Sequence, residues 1–386
     1  MNTDTFSGDH QWMRQAIELS ETALFDTAPN PRVACLIVFE GRLLASGVTQ
    51  KVGGPHAEVM ALRQAQERGL NVANSTFYVT LEPCSHYGRT PPCVDALIAA
   101  KPARVVVAMR DPNPLVAGQG IAKLRAAGIE VTVSICAEEA LAVNPGFVAR
   151  MVRKTPWLWL KLACSLDGRS ALRGGQSKWI TSSLARTDGH RWRARSSVVL
   201  TGLGTVQADN PQMTIHDVES SRPPIKALVD TYFRVDENAR LFDAGETWLF
   251  TCRMDTDKAA RLAARNCRVI EMPESNNRVD LTALMFWLGQ HEINEVHVEA
   301  GATLSGALLE ADCVDELLVY MAPLLLGDAK GMVNLPPLQD LAGARRFRFI
   351  DNLPLGSDIR LRARSPGRWR ALLEAVSGDG EPSTLA

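Results

Sequence analysis

His56-Ala57-Glu58-Val59-Met60-Ala61 opens the stretch that decides the fold, and Glu82-Pro83-Cys84-Ser85-His86-Tyr87-Gly88-Arg89-Thr90-Pro91-Pro92-Cys93 closes it. Between them, apolar residues over 59–70 recur at helical spacing, and residues 76–81 read as a strand. An isolated histidine is usually structural, and an isolated cysteine is usually a small buried hydrophobe. Here His56 precedes an acid by two residues, and Pro83 directly precedes the first of two cysteines. One nitrogen and two sulfur donors suit zinc with a fourth position left open, so His56, Cys84 and Cys93 are the expected ligands. Cys35 and His86 are the spare candidates.

The companion carboxylate gives this metal a chemistry. Zinc lowers the pKa of a bound water from about 15.7 towards about 7. Glu58, on the first turn of the helix, is placed to take that water's proton and pass it to a leaving group. Histidine, nearby glutamate and a later Pro-Cys…Cys pair form the signature of zinc nucleobase deaminases, although the second gap is wider here. Cys84 is expected at a helix N-terminus after a strand, where its thiolate is favoured.

Composition sets the frame around this motif. With 386 residues the length suggests two domains, and 46% hydrophobic content supplies sizeable cores. A formal net charge of -1 gives no basic field for nucleic acid. No apolar run reaches the roughly 18 residues that span a bilayer. Residues 1–10 lack a signal peptide's apolar region. The eight cysteines form no disulfide-like pattern, so a reducing cytoplasm is expected.

In chain order, residues 1–10 read as a frayed tail and 11–25 as an amphipathic helix. A hairpin turning at Glu40-Gly41 follows. Alternating helices and strands then run to residue 135, which implies helices packed on one mixed sheet. A linking helix is expected over 141–152, broken at Lys154-Thr155-Pro156. The expected division is therefore 1–150, 151–365 and a tail over 366–386 read as mostly mobile, with a helix over Trp369–Val376 as the alternative.

The second domain carries its own signal. Glu299-Ala300-Gly301-Ala302-Thr303 turns from strand into helix among small residues, the setting of an anion site. It lacks the dinucleotide-binding glycine fingerprint. Lys161 sits on an apolar strand, where a charge needs a partner. Glu299 or Asp167 could serve.

Several motifs together resemble one family. They are Pro29-Asn30-Pro31, His56-Ala57-Glu58, the run from Glu82 to Cys93 quoted above, Asp111-Pro112-Asn113-Pro114, Lys161-Leu162-Ala163, Ser165-Leu166-Asp167-Gly168-Arg169 and Trp179-Ile180-Thr181-Ser182. Residues 298–308 join them. The chain resembles the bifunctional riboflavin-biosynthesis deaminase–reductases over residues 10–362. The resemblance implies an α/β chain: a cytidine-deaminase-like three-layer sandwich followed by a dihydrofolate-reductase-like α/β domain. It implies hydrolysis of an amino group on a phosphoribosylamino-diaminopyrimidinone, then reduction of the ribosyl group to ribityl with NADPH. It places Ala163, Trp179, Thr205, Asp209, Thr231, Gly301, Ala302, Thr303, Leu304, Ser305, Gly306 and Ala307 at the NADP site. It places Lys161, Ser177, Arg193, Met213, His216 and Glu299 near a small phosphorylated substrate, in a homo-oligomer.

Three positions depart from the family pattern. Ala34 replaces a usual glycine, and Thr49 a usual histidine. His216 stands where arginine is usual, and a neutral imidazole cannot grip phosphate as a guanidinium fork does. The alternative expectation is an active deaminase joined to a weakened or ligand-binding reductase domain.

Overall fold

The structure is a computed structural model that describes residues 3–86, 91–113, 116–216 and 218–378. Residues 87–90 of the second motif, Pro114 and the end of the tail lie outside the described residues. The chain divides into two compact units, Met1–Arg153 with Arg370–Ala386, and Lys154–Trp369.

The first unit runs α1 (Thr3–Glu21), β1 (Ala34–Phe39), β2 (Arg42–Val48), α2 (Ala57–Glu67), β3 (Thr76–Val79), α3 (Cys93–Ala100), β4 (Arg104–Val107), α4 (Gln119–Ala126), β5 (Glu130–Val133), α5 (Ala137–Val143) and α6 (Pro145–Arg153). Its sheet has the order β2-β1-β3-β4-β5. The β1–β2 hairpin is antiparallel, while β3, β4 and β5 run parallel. Five of the six β1 residues are buried, which requires cover on both faces. Helix α1 packs on β1 and β3, and α2 packs on β1 and β2 beside α3. This is the expected three-layer sandwich.

Two expectations fail in this unit. The helix over 11–25 in fact begins at Thr3 and ends at Glu21, so the frayed tail is helical. Asp9 explains part of this. It is buried, and accepts from the Tyr78 hydroxyl (2.8 Å) and from Arg104 (2.7 and 3.0 Å). Polar sequence there marks a buried ion pair rather than solvent. The single helix over 141–152 is instead two helices, broken at Asn144. The Asn144 side chain accepts from the Arg32 N–H and donates to the Arg32 carbonyl, both at 2.8 Å.

The second unit runs β6 (Trp157–Ser165), β7 (Arg169–Ala171), α7 (Ser183–Arg195), β8 (Val198–Gly202), α8 (Leu203–Asp209), β9 (Ile225–Val229), β10 (Thr247–Thr251), α9 (Thr256–Ala263), β11 (Cys267–Glu271), β12 (Glu274–Ser275), β13 (Arg278–Val279), α10 (Leu281–Gln290), β14 (Glu295–Glu299), α11 (Ala302–Glu310), β15 (Glu316–Ala322), β16 (Lys330–Gly331), β17 (Arg348–Leu355) and β18 (Asp358–Arg364). Nine strands form one sheet in the order β11-β10-β9-β8-β14-β6-β15-β18-β17. From β11 to β15 every pairing is parallel; β18 and β17 add an antiparallel edge. Apolar clusters around Leu160, Phe250 and Val298, and around Val199, Leu228 and Leu249, bury its two faces.

Within the tail expected to be mostly mobile, the alternative of a helix is what the described residues form. Helix α12 covers Pro366–Val376, with Trp369, Leu372 and Val376 buried at helical spacing. Trp369 meets the Trp157 ring edge-on at 5.7 Å, and the Arg364 guanidinium lies 3.6 Å from the Trp369 ring centre. At the other end, the Val376 carbonyl accepts from the Arg110 N–H. Three buried side chains outweigh the polar composition of the segment.

The buried carboxyl of Asp111 predicts a pH effect. Burial raises it to about 7, although the Asn113 N–H bonded to it at 2.8 Å works the other way. A carboxyl raised from about 3.9 contributes stability below that value and loses it as pH rises through about 7. Asp111→Asn keeps the acceptor and removes the titration. Calorimetric unfolding should show native stability falling against the variant between about pH 4 and 8; parallel curves would refute the assignment.

Candidate functional site

In the first unit, His56 caps α2 with extended backbone, which turns its ring toward the loop after β3. Its Nδ1 lies 3.6 Å from the Cys84 Sγ and 3.3 Å from the Cys93 Sγ. All three donor atoms fall within 4.8 Å of one another. A tetrahedral zinc with bonds of about 2.0–2.3 Å would hold nitrogen and sulfur roughly 3.6 Å apart, so the donor set fits the ion. Cys35 and His86 stand outside the cluster.

Cys84 lies in the loop, and it is Cys93 that opens a helix, which corrects the placement expected for Cys84. The helix end still reaches Cys84, because the Cys93 backbone N–H donates to its sulfur at 3.3 Å. Hydrogen bonding from the Cys93 thiol, then from His56, pulls Cys84 down to about 4 and pushes Cys93 up in exchange. Glu58 is 3% exposed on the first turn of α2. Burial raises its carboxyl, with the Cys84 charge adding to the shift. Such a group holds and releases protons more readily near neutrality than a solvated glutamate does.

Glu82 builds the loop that carries Cys84. One carboxylate oxygen accepts from the Gly120 and Ile121 N–H groups, the other from Gly118 and Asp111, at 2.9–3.2 Å. A side chain at position 120 would collide with the Pro83 carbonyl, so only glycine fits. Sequence reading placed Glu82 in a motif without seeing this clamp.

The second unit gathers its polar groups at the carboxyl edge of the parallel strands. The Glu299 carboxylate, at the end of β14, takes a bidentate pair from Arg193 on α7, with Nε at 2.5 Å and Nη2 at 2.8 Å. Lys161 Nζ on the adjacent β6 stands 3.9 Å away, and the buried His297 Nε2 lies 3.2 Å away. Burial works against the charge, but Arg193 and Lys161 outweigh it and hold the carboxyl well below its ordinary range. Asp167 is not the partner of Lys161. It accepts from the Ser165 hydroxyl and from the Leu326 and Gly327 N–H groups, so it ties a turn.

Lys161, Arg193 and Glu299 line a cavity of about 370 Å³ that also receives Trp179, Met213 and His216. A larger cleft of about 1340 Å³ is lined by Gly202, Thr205, Thr231, Gly301, Thr303, Leu304 and Ala307, among others. The Gly301 N–H donates to the Thr205 hydroxyl at 3.1 Å. No side chain caps α11, which leaves first-turn N–H groups for a ligand's anion. Ser305 and Gly306 face inward; a side chain at 306 would strike the Asn334 carbonyl. Ala163, Ser177, Asp209 and Ala302 line neither space. Asp209 pairs with Lys178 at 3.3 Å. Tyr320, which donates to Asp188 at 2.7 Å beneath Lys161, was missed, because nothing in the sequence brings three separate elements together.

The fold and the two sites define a zinc-type hydrolytic deaminase joined to a nucleotide-dependent reductase. The family model for the "RibD C-terminal domain" matches residues 156–361, and the "Cytidine and deoxycytidylate deaminase zinc-binding region" matches residues 7–109. The Riboflavin biosynthesis protein RibD of Escherichia coli is 45% identical over 92% of this chain and 98% of its own length. The structure of Acinetobacter baumannii RibD (form 1) aligns with a TM-score of 0.84 at 42% identity, covering 93% and 99% of the two chains. The Thermotoga maritima diaminohydroxyphosphoribosylaminopyrimidine deaminase/5-amino-6-(5-phosphoribosylamino)uracil reductase aligns at 0.83 and 31%, covering 94% and 99%. The chain belongs to the RibD family of riboflavin biosynthesis proteins. It is a zinc-dependent deaminase and an NADPH-dependent reductase of that pathway. Among the described residues, no helix is long and apolar enough to cross a membrane.

Proposed function

We propose that the first unit removes the 2-amino group of a phosphoribosylamino-diaminopyrimidinone, and that the second reduces the ribosyl group of the product to ribityl. The convergence of His56 Nδ1, Cys84 Sγ and Cys93 Sγ beside the buried Glu58 carries the first half. Zinc held by those three residues supplies Lewis acidity that makes water nucleophilic near neutral pH. Glu58 takes the proton from that water and delivers it to the departing ammonia. The raised carboxyl suits both directions of transfer.

In the second unit NADPH supplies the hydride. The Gly301 turn, the start of α11, Thr205 and Thr231 would hold its pyrophosphate in the larger cleft. The substrate occupies the smaller cavity, where Glu299 and Lys161 meet the sugar hydroxyls. The intact Lys161–Glu299 pair favours turnover over mere ligand binding. Eight free cysteines favour a reducing cytoplasm. A homo-oligomer is supported by β17, a sheet-edge strand whose Phe349 and Leu353 are exposed.

Metal analysis and ammonia release test the first site together. Cys84→Ala should lose stoichiometric zinc. Glu58→Gln should keep zinc but lose deamination by about 10³-fold or more. Retained zinc in the first, or less than about a tenfold loss in the second, would overturn the roles. For the cleft, a Cβ at Gly301 meets nothing closer than the Thr205 hydroxyl at 3.9 Å, so Gly301→Val should fold. It should still weaken NADPH binding by calorimetry while deamination stays intact; unchanged affinity would move the cofactor elsewhere. For assembly, Phe349→Glu should lower the mass measured by light scattering, and a native monomer would refute the oligomer.

A further inference from the structure

We infer that Arg186, rather than Arg193, is the residue that anchors the substrate's phosphate in the second unit. This rests on the reading of the smaller cavity as the site of a phosphorylated ribosyl substrate. Three of the five N–H groups of Arg193 are already engaged. Its Nε and Nη2 are taken by Glu299, and its Nη1 donates to the Thr214 carbonyl at 2.7 Å. Glu299 neutralises its charge, and Lys161 leans on the same carboxylate. Glu299 is also the one carboxylate among the residues that line the cavity.

Arg186 is different. Among the described residues no carboxylate pairs with it. One nitrogen, Nη1, donates to the Thr181 carbonyl at 2.9 Å, which orients the guanidinium and leaves its other donors unspent. The group lies 4.3 Å from the Trp179 ring centre, and such stacking holds an arginine plane in place. Arg186, His190 and Arg193 fall at i, i+4 and i+7 on α7, and all three line the cavity. Seven helical residues separate the outer two by about 10 Å along the axis. The cavity is therefore polar end to end. Arg193 and Lys161 share the single Glu299 carboxylate at one end, and Arg186, paired with no carboxylate among the described residues, adds its positive charge at the other.

The histidines support this division. His216 donates its backbone N–H to His190 Nδ1 at 3.2 Å, and the two rings meet edge-on at 5.2 Å. An imidazole carries charge only when protonated, whereas a guanidinium stays charged throughout. Arg186 thus accounts for phosphate binding in a chain whose position 216 is histidine. Arg193 becomes a positioning residue that fixes the Glu299 carboxylate.

The test compares the deaminated phosphoribosylamino substrate with its dephosphorylated form, following NADPH oxidation. Arg186→Gln should raise KM for the phosphorylated substrate by about 10- to 100-fold, the range for losing a hydrogen bond to a charged group. KM for the dephosphorylated form should not move, and Arg186→Lys should recover part of the loss. Arg193→Lys should lower kcat with both forms alike. D-ribose 5-phosphate should inhibit the native enzyme and the Arg186→Gln variant less. Equal KM changes for the two substrates, or none, would overturn the assignment of Arg186 alone. A native enzyme that oxidises NADPH with neither form would overturn the reductase reading beneath it.

Discussion

A parallel sheet has one polarity, and that constraint places the chemistry of this protein. When neighbouring strands run the same way, each strand ends on the same edge and the next helix begins there. Loops, free N–H groups and helix dipoles therefore collect on one side. In the first unit, β3 leads into the loop of Cys84, beside the helix opened by Cys93. In the second, β8, β9 and β14 end at Gly202, Val229 and Glu299, and the residues just beyond them form the larger cleft. Residues from distant parts of the chain converge because their strands share a direction.

Two buried carboxylates show how this edge is held together in different ways. Glu82 is satisfied by four backbone N–H groups, so it fixes loop geometry without any cation. Burial still outweighs those bonds and raises its carboxyl. Glu299 is satisfied by a guanidinium and an ammonium, so it stays ionised despite burial. Removing one partner of such a pair would leave the other charge stranded, which is why these groups belong to one network rather than to separate contacts. Glu58 has neither kind of support to the same degree, and its raised carboxyl suits the movement of protons.

Much of this was legible in order along the chain. The proposed zinc donors and Glu58 lie within 38 residues, counting from His56 to Cys93, and their spacing constrains them whatever the rest does. The Gly301 turn was legible because small residues before a helix start have a local meaning. What failed was polarity read as exposure. Asp9 and the helix carrying Trp369 lie in polar sequence, yet Asp9 is paired and Trp369 is buried.

The sequence by itself determined the candidate donor set, the two-domain α/β organisation and the family, because these depend on residue types at short spacing or on motif order. Only the tertiary structure decided which partner each charge takes. Lys161 faces Glu299 and not Asp167, Arg193 gives two N–H groups to Glu299, and Arg186 gives one to the Thr181 carbonyl. Those choices join residues as far apart as Arg193 and Glu299, 106 positions along the chain. They follow from strand order and from the face a helix turns inward, which no local pattern encodes.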